Sequence, residues 1–152
     1  MENNKGKIAV VTGASGGIGS DICVRLANYG LIVIGLARQV KVVEELSEKI
    51  DSNNDGKIFA IKCDLEVEKE ILEAFQWIEK EFGAIHIFIN NAGVFLTNFL
   101  IESETEIFRK SFDVNVIAGC ICLREAVKNI KAKSEKAHIF VINRYMFKNT
   151  AM

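Results

Sequence analysis

The sequence lacks a large excess of charge of either sign, with 19 Lys and Arg against 20 Asp and Glu among 152 residues and a formal net charge of −1. This balance gives no electrostatic reason to expect a nucleic acid or an anionic membrane as the partner. Long apolar runs are also missing, since stretches such as LIVIGLA (31–37) have the length of a strand and not of a membrane span. The N-terminal MENNKGK (1–7) has no apolar segment of the signal-peptide type, so we predict a cytoplasmic protein.

Metal-binding and disulfide patterns are absent as well. No two of the four cysteines form a CxxC pair: they are Cys23, Cys63, Cys120 and Cys122. Cys120 and Cys122 lie in a predicted helix, where residues two apart point in different directions and neither chelate together nor pair easily. We therefore expect the cysteines to be small buried side chains in a reducing compartment. His86 and His138 have no partner at metal-ligand spacing, and no metal site is predicted.

Short apolar runs alternate with longer amphipathic stretches along the chain, and no linker interrupts the pattern. The short runs are apolar on consecutive positions, which is typical of strands buried on both faces. In the stretch 66–82 one helical stripe is apolar, and Gly83 follows as a stop. This alternation predicts an α/β fold with a doubly wound, Rossmann-like parallel sheet. The five predicted strands span 7–12, 31–37, 57–62, 85–90 and 138–143.

A glycine-rich segment, TGASGGIGS (12–20), follows the first predicted strand, and Ile18 opens the first predicted helix. Glycines 13, 17 and 19 allow a sharp turn and leave the N–H groups of the helix start open to a pyrophosphate. The spacing is G-x-x-x-G-x-G with an additional Gly16. A tight turn without a ligand is the alternative. A P-loop is excluded, because no GK[ST] follows the glycines.

The end of the second predicted strand bears on which nucleotide binds. NAD sites, and the cofactor sites of methyltransferases, use a carboxylate there to bond the ribose hydroxyl. Here the segment GLARQ (35–39) places Arg38 at that point, and the first acid is Glu44. A guanidinium suits the 2′-phosphate of NADP, so we predict NADP(H). The alternative for Arg38 is an exposed side chain at a solvated helix start.

Four motifs follow one another along the chain: TGASGGIG (12–19), CDL (63–65), NNAG (90–93) and DVNV (113–116). Their order and spacing resemble those of the classical short-chain dehydrogenases/reductases. GLAR (35–38), KEIL (69–72) and CICLREAVK (120–128) are similar to the branch with insect farnesol dehydrogenase-like enzymes and their vertebrate relatives. The resemblance covers about 7–142. It implies hydride transfer between NADP(H) and an alcohol or carbonyl, with isoprenoid alcohols or steroids as candidate substrates.

The resemblance also implies which residues hold the cofactor. The pyrophosphate would lie against Gly13, Ala14, Ser15, Gly16, Gly17, Ile18 and Gly19. The adenosine phosphate would face Arg38 and Gln39, with Glu44 on the next helix. The adenine would lie by Asp64 and Leu65, and the ribose by Asn91, Ala92 and Gly93.

One catalytic residue is implied, Asn115, which would hold a water in a proton relay. The alternatives from the residues alone are a helix cap for Asp64 and a buried, backbone-bonding side chain for Asn115.

The family's catalytic Ser, Tyr and Lys have no counterpart within the matching stretch. Arg144 in HIFVINR (138–144) takes the position of the Ser. Tyr145 and Lys148 are three residues apart where the family uses four, and Tyr145 follows the last predicted strand directly. We expect 1–143 to be an incomplete NADP-binding domain, truncated before the Tyr-x-x-x-Lys motif, and 144–152 to be a divergent tail.

These expectations leave open whether the chain is itself an enzyme, and we predict no appreciable turnover. The alternative is a non-catalytic NADPH-binding or interaction module that pairs with a full-length paralogue through the predicted helix 104–131. A homo-oligomer is also left open as a partner. On either reading the fifth strand would be a sheet edge, and apolar helix faces would be bared.

Overall fold

One parallel sheet organises the computed structural model, which describes residues 4–95, 100–133 and 136–143. Within these residues the strands are β1 (Ile8–Thr12), β2 (Ile32–Ala37), β3 (Lys57–Lys62), β4 (Ile87–Asn90) and β5 (His138–Val141). Their order across the sheet is β3-β2-β1-β4-β5, and all the pairings are parallel. The predicted doubly wound sheet is confirmed. The third strand has the predicted bounds, and the other four are one or two residues shorter than predicted.

Helices flank the sheet. They are α1 (Gly17–Asn28), α2 (Val40–Glu44), α3 (Glu68–Phe82), α4 (Thr105–Phe112) and α5 (Gly119–Lys133), with 3-10 turns at Glu45–Lys49 and Leu100–Glu102. A π-helical segment, Asp113–Ala118, joins α4 to α5 without a break. In α3 the predicted stripe is buried at Ile71, Phe75 and Ile78. None of the helices in the described ranges is long and apolar enough to cross a membrane.

The sheet separates two apolar layers. Because successive strand residues point to opposite faces, Ile8 and Val10 of β1 pack with α3 and α5, whereas Ala9 and Val11 pack with α1 and α2. All five residues of β1 are buried. A strand covered on both sides has no solvent face to fill with polar residues, which explains the consecutive apolar run.

A buried amide, Asn129 of α5, fixes the turn between α3 and β4. Its Oδ1 accepts the backbone N–H of Ile85 at 2.9 Å, and its Nδ2 donates to the carbonyl of Gly83 at 3.0 Å. Gly83 ends α3 with a φ of 78°, in the left-handed region that favours glycine. The predicted helix stop at Gly83 is therefore confirmed.

The expectation that all the cysteines are buried is correct for Cys23, Cys63 and Cys122 and wrong for Cys120. Burial raises the pKa of the three buried thiols to about 12, so they stay protonated at neutral pH. Cys120 lies on α5, two residues from the buried Cys122, and the helix turns it toward solvent.

Apolar side chains are exposed on β5 and on the stretch from α4 into the π-helical segment. β5 lies at the edge of the sheet, as expected, and all four of its residues are exposed. On α4 and the π-helical segment, Phe108, Phe112 and Ile117 are exposed as well. Exposed apolar patches of this kind commonly mark contact surfaces.

We predict that Asn129→Ala lowers the free energy of unfolding by about 2–4 kcal/mol, because a buried N–H and a partly buried carbonyl lose their hydrogen-bond partner and the side chain leaves a small void. Urea denaturation measures the change. Lys131→Ala, an exposed position on the same helix, is the control and should stay within about 0.5 kcal/mol of the parent. Equal stability of the Asn129 variant and its parent would contradict the assigned role.

Candidate cofactor-binding site

A cleft of about 880 Å³ opens at the carboxyl ends of the strands. Residues from the loops after all five strands line it, together with the π-helical segment. β2 and β3 lie on one side of β1, and β4 and β5 lie on the other. The chain therefore reverses its direction across the sheet between β1 and β4, and ligands of open α/β sheets bind at such points.

Two glycines allow the loops beneath the cleft to pack closely. Gly13 has a φ of 67°, and a Cβ there would stand 2.9 Å from the Cα of Ala92. A Cβ on Gly19 would collide with the carbonyl oxygen of Gly13 and stand 2.6 Å from Nδ2 of Asn91. A side chain at either position would push the loop after β1 away from the loop after β4.

Two other glycines border empty space and are not packed against another loop. A Cβ on Gly16 or Gly17 would meet nothing within 4 Å, and both residues line the cleft. Gly16 is the N-cap of α1 and provides no side-chain cap. The Gly19 N–H donates to the Gly16 carbonyl at 3.0 Å, whereas the N–H groups of Gly17 and Ile18 precede the first intrahelical bond. Bare backbone donors, the positive end of a helix and free space together fit a pyrophosphate.

Most of the predicted site residues line the cleft. The predicted cofactor residues in its wall are Gly13, Ser15, Gly16, Gly17, Ile18, Arg38, Asp64, Leu65, Asn91, Ala92 and Gly93, and the predicted catalytic Asn115 lies there too. Four predicted cofactor residues are not part of the wall. Ala14 and Gly19 are buried behind the glycine loop, and Gln39 and Glu44 lie at the two ends of α2. The roles of all these residues stay predictions.

The hydroxyl of Thr12, a residue the sequence did not single out, holds the two central loops together. Thr12 is fully buried at the end of β1. Its Oγ1 accepts the backbone N–H groups of Asn91 and Ala92, both at 3.0 Å, and donates to Oδ1 of Asn90 at 3.4 Å. Nδ2 of Asn91 in turn donates a hydrogen bond to the Thr12 carbonyl at 3.0 Å. The loop after β4 is thus positioned by a side chain of the neighbouring strand.

Asn115 lies in the π-helical segment and clamps the next stretch of the same loop. Its Oδ1 accepts the N–H of Val94 at 2.8 Å, and its Nδ2 donates to the Val94 carbonyl at 2.9 Å and to Oγ of Ser111 at 3.2 Å. The side chain bonds backbone, as the alternative foresaw, but Asn115 is exposed and not buried. Both amide hydrogens are engaged, and the water-holding role stays a prediction.

Asp64 combines a place in the cleft wall with a local structural role. One of its carboxylate oxygens accepts the N–H of Glu66 at 3.1 Å, and its carbonyl accepts the N–H of Val67 at 3.0 Å. These bonds shape the turn that leads into α3, although the N-cap of that helix is Val67 itself. Within the described ranges no hydrogen bond to the second carboxylate oxygen is present.

The mouth of the cleft carries a cluster of charges. The Arg38 side chain is 64% exposed, and its Nη1 lies 3.9 Å from Oε1 of Glu66. Nζ of Lys110 lies 3.1 Å from the same oxygen. Neither Glu66 nor Lys110 was predictable as part of this cluster, because only the packing of α4 beside the turn before α3 brings them to Arg38.

Comparison with known proteins agrees with this geometry. The family model for short chain dehydrogenases matches residues 7–145. Farnesol dehydrogenase from Aedes aegypti is 38% identical over 144 residues, which cover 94% of this chain and 59% of that protein. Dehydrogenase/reductase SDR family member 11 from Homo sapiens is 39% identical over 145 residues, covering 94% of this chain and 56% of that protein. The chain therefore spans a little more than half the length of these relatives.

A solved structure shows the same fold. A metagenomic short-chain oxidoreductase in complex with NADP matches with a TM-score of 0.86 and 28% identity, over 99% of this chain and 67% of that one. The family match covers most of the chain, and its motifs lie in the wall of the cleft. The chain belongs to the short-chain dehydrogenases/reductases, an oxidoreductase family that binds NAD(P).

Proposed function

We propose that this chain is the NADP(H)-binding portion of an oxidoreductase that transfers a hydride between the nicotinamide and an alcohol or carbonyl group. Residues 1–143 would form the cofactor-binding domain, and 144–152 would follow it as a separate tail. The observation that carries the proposal is the cleft itself, which combines an uncapped glycine-rich helix start with a guanidinium after β2.

Bound NADP(H) would supply the hydride, and the residues of this chain would bind and orient it. The N–H groups at the start of α1 would hold the pyrophosphate, with the space beside Gly16 and Gly17 as its place. The free carboxylate oxygen of Asp64 would accept from the adenine amino group. The loop 91–93 would line the ribose, held in position by Thr12.

The preference for NADP(H) over NAD(H) rests on Arg38. No carboxylate follows β2 before Glu44, and Glu44 ends α2 outside the cleft wall. A guanidinium at the cleft mouth would bind the 2′-phosphate by charge-assisted hydrogen bonds. Arg38 is largely exposed, so water and salt would weaken this interaction.

The likeness to a farnesol dehydrogenase supports an isoprenoid alcohol as the substrate class of the reaction, with a steroid as the other candidate. The chemistry of the family needs a Tyr-x-x-x-Lys motif, and the 152 residues contain none. Arg144, Tyr145 and Lys148 lie outside the described residues. We therefore propose that this polypeptide binds NADP(H) without reducing a carbonyl at an appreciable rate.

A second candidate function is a non-catalytic module that pairs with a longer member of the family. The observation that favours it is the exposed apolar side chains Phe108, Phe112 and Ile117, on the helical stretch proposed for the contact. Co-expression with a full-length paralogue tests it. Joint elution in size-exclusion chromatography together with altered activity of the paralogue would support pairing, and independent elution would contradict it.

We predict that Arg38→Gln raises the Kd of NADPH roughly tenfold, the equivalent of about 1.4 kcal/mol, because a charge-assisted bond to the 2′-phosphate is lost. The Kd of NADH should change less than twofold. Isothermal titration calorimetry at low and moderate salt measures both constants.

Arg25→Gln, which removes a surface cation of α1 outside this cleft, is the matched control and should leave both constants unchanged. Equal weakening of NADPH and NADH by Arg38→Gln would contradict a role in reading the 2′-phosphate.

We also predict that the purified 152-residue polypeptide binds NADPH but does not oxidise it in the presence of farnesal or a ketosteroid. The absorbance of the reduced nicotinamide reports turnover, and protein fluorescence reports binding. A complete farnesol dehydrogenase serves as the positive control. NADPH oxidation that depends on both the polypeptide and the carbonyl compound would refute this part of the proposal.

A further inference from the structure

We infer that Lys110 is a specificity-determining residue of the cofactor site, and that it acts by neutralising Glu66 rather than by touching the cofactor. The inference rests on the proposed binding of NADP(H). It concerns three side chains that come from separate parts of the chain, namely Arg38 after β2, Glu66 before α3, and Lys110 on α4.

One carboxylate oxygen stands between two cations. Oε1 of Glu66 is 3.1 Å from Nζ of Lys110 and 3.9 Å from Nη1 of Arg38. Arg38 and Glu66 line the cleft, whereas Lys110 does not. The Glu66 side chain is 35% exposed, against 64% for Arg38 and 46% for Lys110. Glu66 is therefore the least solvated of the three charges, and it faces the ligand side.

The backbone of Glu66 is also fixed. Its N–H donates to Oδ1 of Asp64 at 3.1 Å, within the turn that leads into α3. The N–H of Asp64 in turn donates to Oε2 of Glu70 at 2.7 Å. The main chain of the turn is therefore held, which fixes the point from which the Glu66 side chain extends toward its two cations.

A carboxylate at this point opposes the binding of a phosphate in two ways. It repels the phosphate directly, and it attracts the Arg38 guanidinium away from it. Lys110 relieves both effects, because the shorter ion pair engages the Glu66 oxygen and leaves Arg38 with the weaker contact.

The effect of Lys110 depends on whether the ligand carries a 2′-phosphate. A ligand with a 2′-phosphate meets this cluster as an anion, whereas a ligand with a free 2′-hydroxyl does not. Lys110 should therefore affect the affinity for NADPH and leave that for NADH nearly unchanged. An effect on folding alone would change both affinities together.

The experiment uses the full 152-residue chain and two small probes, adenosine 2′,5′-bisphosphate and 5′-AMP, which differ only in the 2′-phosphate. Calorimetry gives the Kd of each probe for the parent, Lys110→Gln, Glu66→Gln and the double variant. Arg109→Gln is the matched control, since Arg109 directly precedes Lys110 on α4 and pairs with Glu106 instead of Glu66. Circular dichroism verifies that each variant keeps the fold.

We expect Lys110→Gln to weaken the bisphosphate about fivefold, the scale of a partly exposed ion pair. Its 5′-AMP affinity should stay within twofold. Glu66→Gln should bind the bisphosphate at least as tightly as the parent, and Lys110→Gln added to it should have no further effect. The double-mutant cycle thus isolates the route through Glu66.

Three results would overturn the inference. Lys110→Gln could leave the bisphosphate unaffected, or it could weaken both probes equally. A loss that persists in the Glu66→Gln background would show that Lys110 contacts the phosphate itself.

The Arg38→Gln variant separates a failure of the inference about Lys110 from a failure of the proposed function. If Arg38→Gln weakens the bisphosphate and Lys110→Gln does not, only the inference fails. If the parent binds both probes equally and Arg38→Gln changes nothing, the NADP preference fails together with it.

Discussion

The bonds of the Thr12 hydroxyl are the constraint on which the cleft depends. A hydroxyl inside an apolar core is unfavourable unless it is hydrogen-bonded, and Thr12 accepts two backbone N–H groups of the loop after β4. This joins the ends of β1 and β4, the neighbouring strands where the chain changes direction across the sheet. Gly13 and Gly19 allow the same two loops to touch, because neither position has room for a Cβ. Packing thus sets the floor, and the open glycines beside it leave room for a ligand.

The cleft divides its recognition between two kinds of group. Backbone donors at the start of α1 are fixed by the fold and suit any pyrophosphate, so they would provide affinity without distinguishing NAD from NADP. The cluster of Arg38, Glu66 and Lys110 is made of exposed or half-exposed side chains. Its interactions would be weaker and sensitive to salt, but under the proposed function Arg38 would face the 2′ position, where NAD and NADP differ. Affinity and selectivity would therefore reside in separable residues.

The sequence predicted the features that depend on local pattern. The strands were predictable because a strand covered on both faces is apolar on consecutive residues, as β1 is. The glycine loop was predictable because a tight turn and close backbone packing require glycine, and these glycines follow a predicted strand directly in the sequence. Cys120 was wrongly expected to be buried, because which side of a helix is buried depends on what the helix packs against.

Features that depend on contacts between distant segments could not be predicted from the sequence. The bonds of Asn129 to the turn before β4, and of Asn115 to Val94, join residues that only the fold brings together. The Glu66–Lys110 pair has the same origin. An isolated Lys on a predicted helix reads as a solvated charge, and its relation to Arg38 becomes visible only when α4 lies beside the turn before α3.

The central claim is that the cleft at the carboxyl ends of β1 and β4 binds NADP(H). An amide NMR titration of the 152-residue chain with NADPH tests it most directly, because each backbone N–H reports separately. The account predicts the largest shift changes at residues 13–19, at Arg38 and at 91–93. Saturating NADPH that leaves the amides of 13–19 unmoved, or that moves only amides remote from the cleft, would contradict it.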